Sequence, residues 1–184
     1  MRLSVAFAAV ICVFAGFTGR SGAQAPAPTS IVRAEQQAEA LIADRIDKMR
    51  AQRASDAPKL LPNAELTMIA RARSQAMADG APFSHQDAAG NYPAIDMVKA
   101  RFGPYGFIGE NIMMEKRARK GFDAEAFAKI AVDGWMESKE HRENILSPDY
   151  DRAGIGVAVK GDFAYATQVF RGPAKSSIRG RTQP

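Results

Sequence analysis

The stretch GWMESKEHRENILSP at residues 134–148 decides the fold of this 184-residue chain. It is typical of an amphipathic helix that ends in a polar turn, and Asp123 is the expected N-cap of that helix. The stretch holds the single tryptophan, Trp135, and one of the two histidines, His141, which is a neighbour of Glu137 if the helix continues that far. Intervals of three and four residues predict its buried face: Phe127, Ile130, Ala131, Gly134, Trp135 and Ser138.

Three further helices and one strand are predicted before this stretch. The first helix is expected to have Ser30 as its N-cap, and apolar residues at helical spacing follow it. The second begins at Asn63 and ends at Gly80, with Arg73 away from its apolar side. A loop that contains His85 comes next. The last two elements are a short helix over residues 94–102 and a strand over residues 107–115.

The region after this stretch has the alternation of a β-hairpin. Residues 155–159 and 163–169 alternate in side-chain character, and Gly161-Asp162 suits a two-residue turn. Helices therefore come first, followed by a strand, a helix and a hairpin. This order predicts an α+β fold in which helices pack on a small antiparallel sheet.

The N-terminus has the features of a secretory signal peptide. Arg2 precedes an apolar run from Leu3 to Phe17, and small residues follow, with cleavage expected after Ala23. The run is short for a membrane anchor, which is the less favoured alternative. The expected organisation is a signal peptide (1–23), a Pro/Ala linker (24–29), one domain (30–171) and a basic, disordered tail (172–184). The protein is thus expected outside the cell or in the periplasm, with no transmembrane segment after cleavage.

Composition excludes several classes of protein. The only cysteine, Cys12, lies in the predicted signal peptide, so no disulfide or thiolate metal site is expected in the mature chain. The sequence contains no HExxH motif, no GxSxG motif and no glycine-rich phosphate loop. Removing Arg2 and Arg20 lowers the net charge from +5 to +3. Basic residues in the tail can contact anionic polymers, but a solvated end is the favoured interpretation and no nucleic acid partner is expected.

The candidate site combines His85, Glu110 and His141. Glu110 lies on an otherwise apolar strand face, where a carboxylate needs either a solvent-filled cleft or a partner, and an imidazole is a suitable partner. Two imidazoles and one carboxylate can form a three-ligand Zn²⁺ site with an open position. The same three groups can equally form a hydrogen-bonded polar cluster without metal. Trp135 is expected in the core rather than as a platform for a sugar.

Four ordered blocks carry a resemblance to a known family. They are LTMIARARSQAMADGAPFSH (66–85), GENI (109–112), WMESKEHRENILSPDYDRAGIGVAV (135–159) and YATQVF (165–170). The chain resembles bacterial members of the CAP superfamily, also called the SCP-like domain (cysteine-rich secretory proteins, antigen 5, pathogenesis-related 1). The resemblance runs from about residue 38 to residue 170 and implies an α-β-α sandwich.

The resemblance also implies a cleft that holds two histidines and two acids. The histidines fall on His85 and His141, and the acid of the GEN block falls on Glu110, so these three residues are the expected metal ligands. The position of the second acid is taken by Ser138. The expected binding residues are Ser138 and the neighbouring Asn111 and Trp135. Family members have been linked with divalent metal binding, with sterol or lipid binding and occasionally with proteolysis.

Three functions are compatible with these features. The leading hypothesis is a secreted, non-enzymatic binding module whose cleft holds Zn²⁺ and whose apolar surface binds a lipid, a sterol-like molecule or a cell-envelope component. The second is a hydrolase in which Glu110 acts as general base or a bound metal activates water. In the third, the trio is a structural polar cluster and the function is a protein–protein contact through the loops or the tail.

Overall fold

The computed structural model describes residues 29–54, 56–103, 106–116 and 121–173. The predicted signal peptide, nearly all of the linker and the tail beyond residue 173 lie outside these ranges. No helix within them is long and apolar enough to span a membrane. The elements of the described part are α1 Ser30–Arg53, β1 Leu61–Pro62, α2 Ala64–Ala78, α3 Pro93–Phe102, β2 Ile108–Lys116, α4 Ala124–Glu137, α5 Lys139–Leu146, β3 Arg152–Lys160 and β4 Phe163–Arg171.

One four-stranded sheet in the order β1-β3-β4-β2 forms the middle layer. The predicted hairpin is confirmed, since β3 and β4 pair antiparallel and Gly161-Asp162 joins them. β2 pairs antiparallel with the other side of β4 and forms one edge of the sheet. The other edge carries β1, a two-residue strand that pairs parallel with β3, so the sheet is mixed rather than purely antiparallel.

Two hydrophobic cores on the two faces of the sheet confirm the α-β-α sandwich. The larger core joins α1 and α4 to the sheet around Trp135, whose side chain is fully buried and whose Nε1–H donates to the Ile112 carbonyl at 2.9 Å. The smaller core joins α2 and α3 to the other face around Leu66 and Val98. The prediction that Ile130 is buried is wrong, because this residue is 39% exposed.

Helix ends differ from prediction at two places. The N-cap of α1 is Thr29 rather than Ser30, and its hydroxyl accepts from the Val32 N–H. The predicted caps Asn63 and Asp123 are confirmed. α4 ends at Glu137, and the backbone of Ser138 is extended between α4 and α5. The prediction that Ser138 continues the buried face of α4 is therefore wrong, and the condition for Glu137 and His141 to be neighbours on one helix is not met.

The backbone of α2 lies directly against β3 because two glycines remove the side chains between them. A Cβ atom on Gly156 would lie 2.1 Å from the Arg71 backbone nitrogen, and one on Gly154 would lie 2.1 Å from the Leu66 carbonyl carbon. The buried Ser74 hydroxyl on α2 donates to the Gly156 carbonyl at 2.8 Å. This contact fixes α2 on the sheet at the closest approach that two backbones allow.

Replacing Gly156 with alanine tests this contact. We expect Gly156→Ala to lower the free energy of unfolding by about 3 kcal/mol or more, because backbone atoms on both sides must separate. Gly134→Ala is the matched control, since a Cβ there meets only the flexible end of Met113, at 3.3 Å. Alanine is favoured over glycine in helices by about 1 kcal/mol, so the control should be neutral or stabilising. Equal effects of the two variants in urea unfolding would contradict the close approach.

Candidate functional site

A buried ion pair connects α2 to β2. Arg73 and Glu110 are each only 4% exposed at the side chain, and Arg73 Nε donates to Glu110 Oε1 at 3.0 Å. The sequence predicts a partner for Glu110 but places Arg73 on the polar side of its helix. The structure shows instead that Arg73 is buried between α2 and the sheet, where it compensates the charge of the carboxylate.

The second oxygen of Glu110 holds His85. Glu110 Oε2 lies 2.8 Å from His85 Nδ1, so the predicted imidazole partner of this carboxylate is present. Because a carboxylate accepts hydrogen bonds, the contact favours the tautomer with hydrogen on Nδ1 and leaves Nε2 with a free lone pair. The His85 side chain is 43% exposed, in contrast to the carboxylate behind it.

Arg73 also holds the loop that carries His85. Its Nη2 donates to the backbone carbonyl of Ser84 at 2.8 Å. One guanidinium therefore contacts both the carboxylate that orients the imidazole and the peptide unit next to it. His85 is positioned from two sides by a single rigid fork of donors.

His141 approaches from the other face of the sheet, on the first turn of α5. Asn111 anchors this helix: its Nδ2 donates to the His141 carbonyl at 3.1 Å, and its Oδ1 accepts from Asn144 Nδ2 at 2.9 Å. Asn111 is fully buried. Because Glu110 and Asn111 are consecutive on an edge strand, their side chains point to opposite faces and hold His85 and His141 on either side of that strand.

The two imidazoles meet at this edge, with their ring centroids 6.1 Å apart. Burial lowers the pKa of His141, and the neighbouring His85 lowers it further, whereas Glu140 opposes the shift. The neutral form of His141, which carries a lone pair, is therefore favoured near neutral pH. Within the described residues, no ring nitrogen of His141 forms a hydrogen bond.

The three predicted binding residues Ser138, Trp135 and Asn111 have contacts within the protein. Ser138 donates to Glu140 Oε2 at 3.3 Å on the exposed side of α5. Trp135 belongs to the core and Asn111 to the anchor of α5, so both support the site from behind. In the described ranges, no three side chains of the His, Cys, Asp and Glu types converge in a metal-binding group. The three-ligand site of His85, Glu110 and His141 stays a prediction.

Arg73 and Asn144 are the two positioning residues that sequence reasoning missed. Arg73 has a possible sequence signal, because it follows Ile69 and Ala70 by four and three residues and so borders the apolar face of α2. Asn144 belongs to the polar segment EHREN, and nothing in its spacing distinguishes it from the other polar residues there.

Removing Arg73 tests how far the site depends on the buried pair. Arg73→Met should lower the free energy of unfolding by about 3 to 5 kcal/mol, because it leaves a buried carboxylate without its cation. Arg101→Met is the control, since Arg101 pairs with Glu65 at the surface and should cost about 1 kcal/mol or less. The Arg73→Met/Glu110→Gln double variant should recover part of the loss. Equal unfolding midpoints for the two single variants would contradict the buried pair.

Comparisons with known proteins agree with this architecture. A family model described as CAP, the cysteine-rich secretory protein family, matches residues 43–170. The uncharacterized protein YkwD of Bacillus subtilis is 34% identical over 96 residues, which make up 52% of this chain and 34% of that protein. The matched part of the chain thus spans about a third of the length of this relative.

Solved structures share the fold at low sequence identity. An extracellular protein containing a SCP domain from Bacillus anthracis has a TM-score of 0.61 and 22% identity, over 80% of this chain and 45% of that one. An outer surface protein of Borrelia burgdorferi has a TM-score of 0.60 and 14% identity, over 74% of this chain and 93% of that one. Because the family model covers more than half of the sequence, this chain belongs to the CAP family of cysteine-rich secretory proteins.

Proposed function

We propose that this CAP protein is a secreted, non-enzymatic binding module in which His85 and His141 hold a divalent cation, with Zn²⁺ as the first candidate. One observation carries the proposal. The imidazole of His85 has Nδ1 fixed 2.8 Å from a buried carboxylate, while the ring of His141 lies 6.1 Å away across the edge of the sheet.

The residues present fit such an ion. A metal-binding histidine commonly gives its other N–H to a carboxylate, which fixes the tautomer and raises the basicity of the free nitrogen. His85 and Glu110 have this arrangement. Two imidazoles that share one ion at metal–nitrogen distances of about 2.1 Å have ring centroids about 5 to 6 Å apart, close to the observed spacing. The lowered pKa of His141 supports binding, because a ligand imidazole must be neutral.

Glu110 supports the metal ligand from behind in this proposal. One of its oxygens accepts from Arg73 and the other contacts His85, so the proposal assigns this carboxylate the role of orienting the imidazole.

The second part of the proposal is a lipid, sterol-like or cell-envelope ligand beside the cation. Phe83, two residues before His85 in the sequence, is 44% exposed and is the apolar side chain that we expect such a ligand to contact. The extracellular protein of Bacillus anthracis and the outer surface protein of Borrelia burgdorferi share the fold, which supports an extracellular location for this chain as well.

Calorimetric titration with Zn²⁺ near pH 7.5 tests the proposal on the purified protein. We expect one-to-one saturable binding that is lost in His85→Ala and in His141→Ala, because each variant removes one of the two ligands. Glu110→Gln should weaken binding by about 10- to 100-fold, as the loss of a carboxylate behind a ligand histidine usually does. Glu143→Gln removes an exposed carboxylate on the same helix, beside Lys139, and should change the affinity little.

Other outcomes favour the alternatives. Absence of Zn²⁺ binding in the wild type removes the metal from the proposal. If His85→Ala mainly lowers the melting temperature and changes no binding, the trio is a structural polar cluster. Turnover of a peptide, ester or glycan substrate by the wild type, lost in His141→Ala, would replace the binding module with a hydrolase.

A further inference from the structure

A cavity lies at the opposite edge of the sheet from the histidines. It has a volume of about 280 Å³ and lies between α1, the start of α2 and the edge formed by β1 and β3. This volume is near the lower end of ligand pockets, which begin at about 300 Å³. Most of the wall is apolar: Ala40, Ala43, Ile46, Leu60, Pro62 and Ile155.

The edge of β3 has a gap in its hydrogen bonding at this cavity. β1 covers the edge only as far as Ala153. Further along, the Val157 N–H donates to Glu39 Oε1 at 3.1 Å and the Val159 N–H donates to Glu35 Oε1 at 2.7 Å. Backbone groups alternate in direction along a strand, so the N–H and C=O of Ile155 point to this same edge. In the described part of the chain, nothing on that edge pairs with them.

Gln168 is an independent sign of an incomplete site. It lines the cavity, is directly opposite Ile155 across the β3–β4 ladder and is only 1% exposed. Neither its Nε2 nor its Oε1 has a hydrogen-bond partner among the described residues. Buried polar groups are nearly always paired, so two unpaired groups at one cavity indicate a missing molecule that can both donate and accept hydrogen bonds.

The charges around the cavity favour an uncharged molecule. Its described lining contains two carboxylates, Glu39 and Asp47, and no basic side chain. Glu39 is already paired, because both of its oxygens contact the Arg71 guanidinium from outside the cavity wall, at 2.8 and 2.5 Å. Asp47 pairs at 3.3 Å with Lys59, whose side chain is mostly exposed and lies outside the described lining. An anion in the cavity would therefore meet no unpaired cation.

We propose that this cavity binds an uncharged amide that carries one apolar side chain, which is the chemistry of a single extended peptide residue. The N–H of the bound residue donates to the Ile155 C=O and its C=O accepts from the Ile155 N–H, so that its two flanking amides extend the edge where β1 stops. Its side chain packs against Ile46 and Leu60, and the remaining polar groups of the two amides pair with Gln168. This site is separate from the histidines and does not depend on the metal proposal.

Titration with N-acetyl-L-leucinamide tests the site, with ¹⁵N-labelled protein followed by NMR. We expect saturable shifts of the Ile155 and Val157 amides with a dissociation constant of about a millimolar or tighter, as suits a ligand of this size. N-acetyl-L-leucine, which differs by its carboxylate, should bind at least about tenfold more weakly, a difference that corresponds to one unfavourable charge contact. Unmoved Ile155 and Val157 signals, or equal binding of the anion, would overturn the proposal.

Two pairs of variants locate the binding. Ala43 and Ala51 are both exposed on α1, but only Ala43 lines the cavity. Ala43→Phe should therefore abolish the shifts and Ala51→Phe should retain them, with both proteins folded. Gln168→Met removes the unpaired amide, so it should leave the free protein at least as stable. It should also lower the affinity for the probe by about tenfold. Retained binding in Ala43→Phe, or a loss of stability without a loss of affinity in Gln168→Met, contradicts the site.

A longer probe separates two sources of the same chemistry. The blocked peptide N-acetyl-Ala-Leu-Ala-amide presents the same leucine with a further peptide unit on each side. Tighter binding than N-acetyl-L-leucinamide would assign the site to an extended peptide segment, and equal binding would assign it to small amides. Binding of neither probe would overturn the proposal.

Discussion

The direct contact between the backbone of α2 and strand β3 is the constraint on which the rest of the structure depends. Gly154 and Gly156 leave no side chain in this interface, and a Cβ on either would lie 2.1 Å from backbone atoms of α2. Arg73 reaches β2 from α2 and pairs with Glu110, and both side chains are almost fully buried.

The candidate site follows from this placement and from the position of β2 at the edge of the sheet. An edge strand can be approached from both faces, and its consecutive residues Glu110 and Asn111 serve one face each. On one face, the Arg73–Glu110 pair fixes His85. On the other, Asn111 fixes the backbone of His141. The two histidines are thus brought together by elements that are far apart in the sequence, with positioning groups that are themselves buried.

The sequence was informative where its patterns are periodic. It was much less informative where long side chains or short elements determine the structure. The β3–β4 hairpin and the burial of Trp135 follow from alternation and helical spacing, and the need of Glu110 for a partner follows from the cost of burying a carboxylate. The burial of Arg73 does not, because a charged residue beside an apolar helix face usually extends to solvent. β1 has only two residues, one of which is Pro62, and this is too short for a strand signal. The break at Ser138 interrupts an otherwise helical pattern.

The central claim is that a buried carboxylate presets His85 as a ligand, with hydrogen on Nδ1 and a free lone pair on Nε2. Long-range ¹H–¹⁵N correlation NMR of the imidazole nitrogens, recorded with His85 neutral, tests it most directly because the chain has only two histidines. We expect a protonated Nδ1 and an unprotonated Nε2 for His85. A spectrum in which Nε2 carries the hydrogen, or in which the two tautomers average, would contradict the proposed orientation by Glu110.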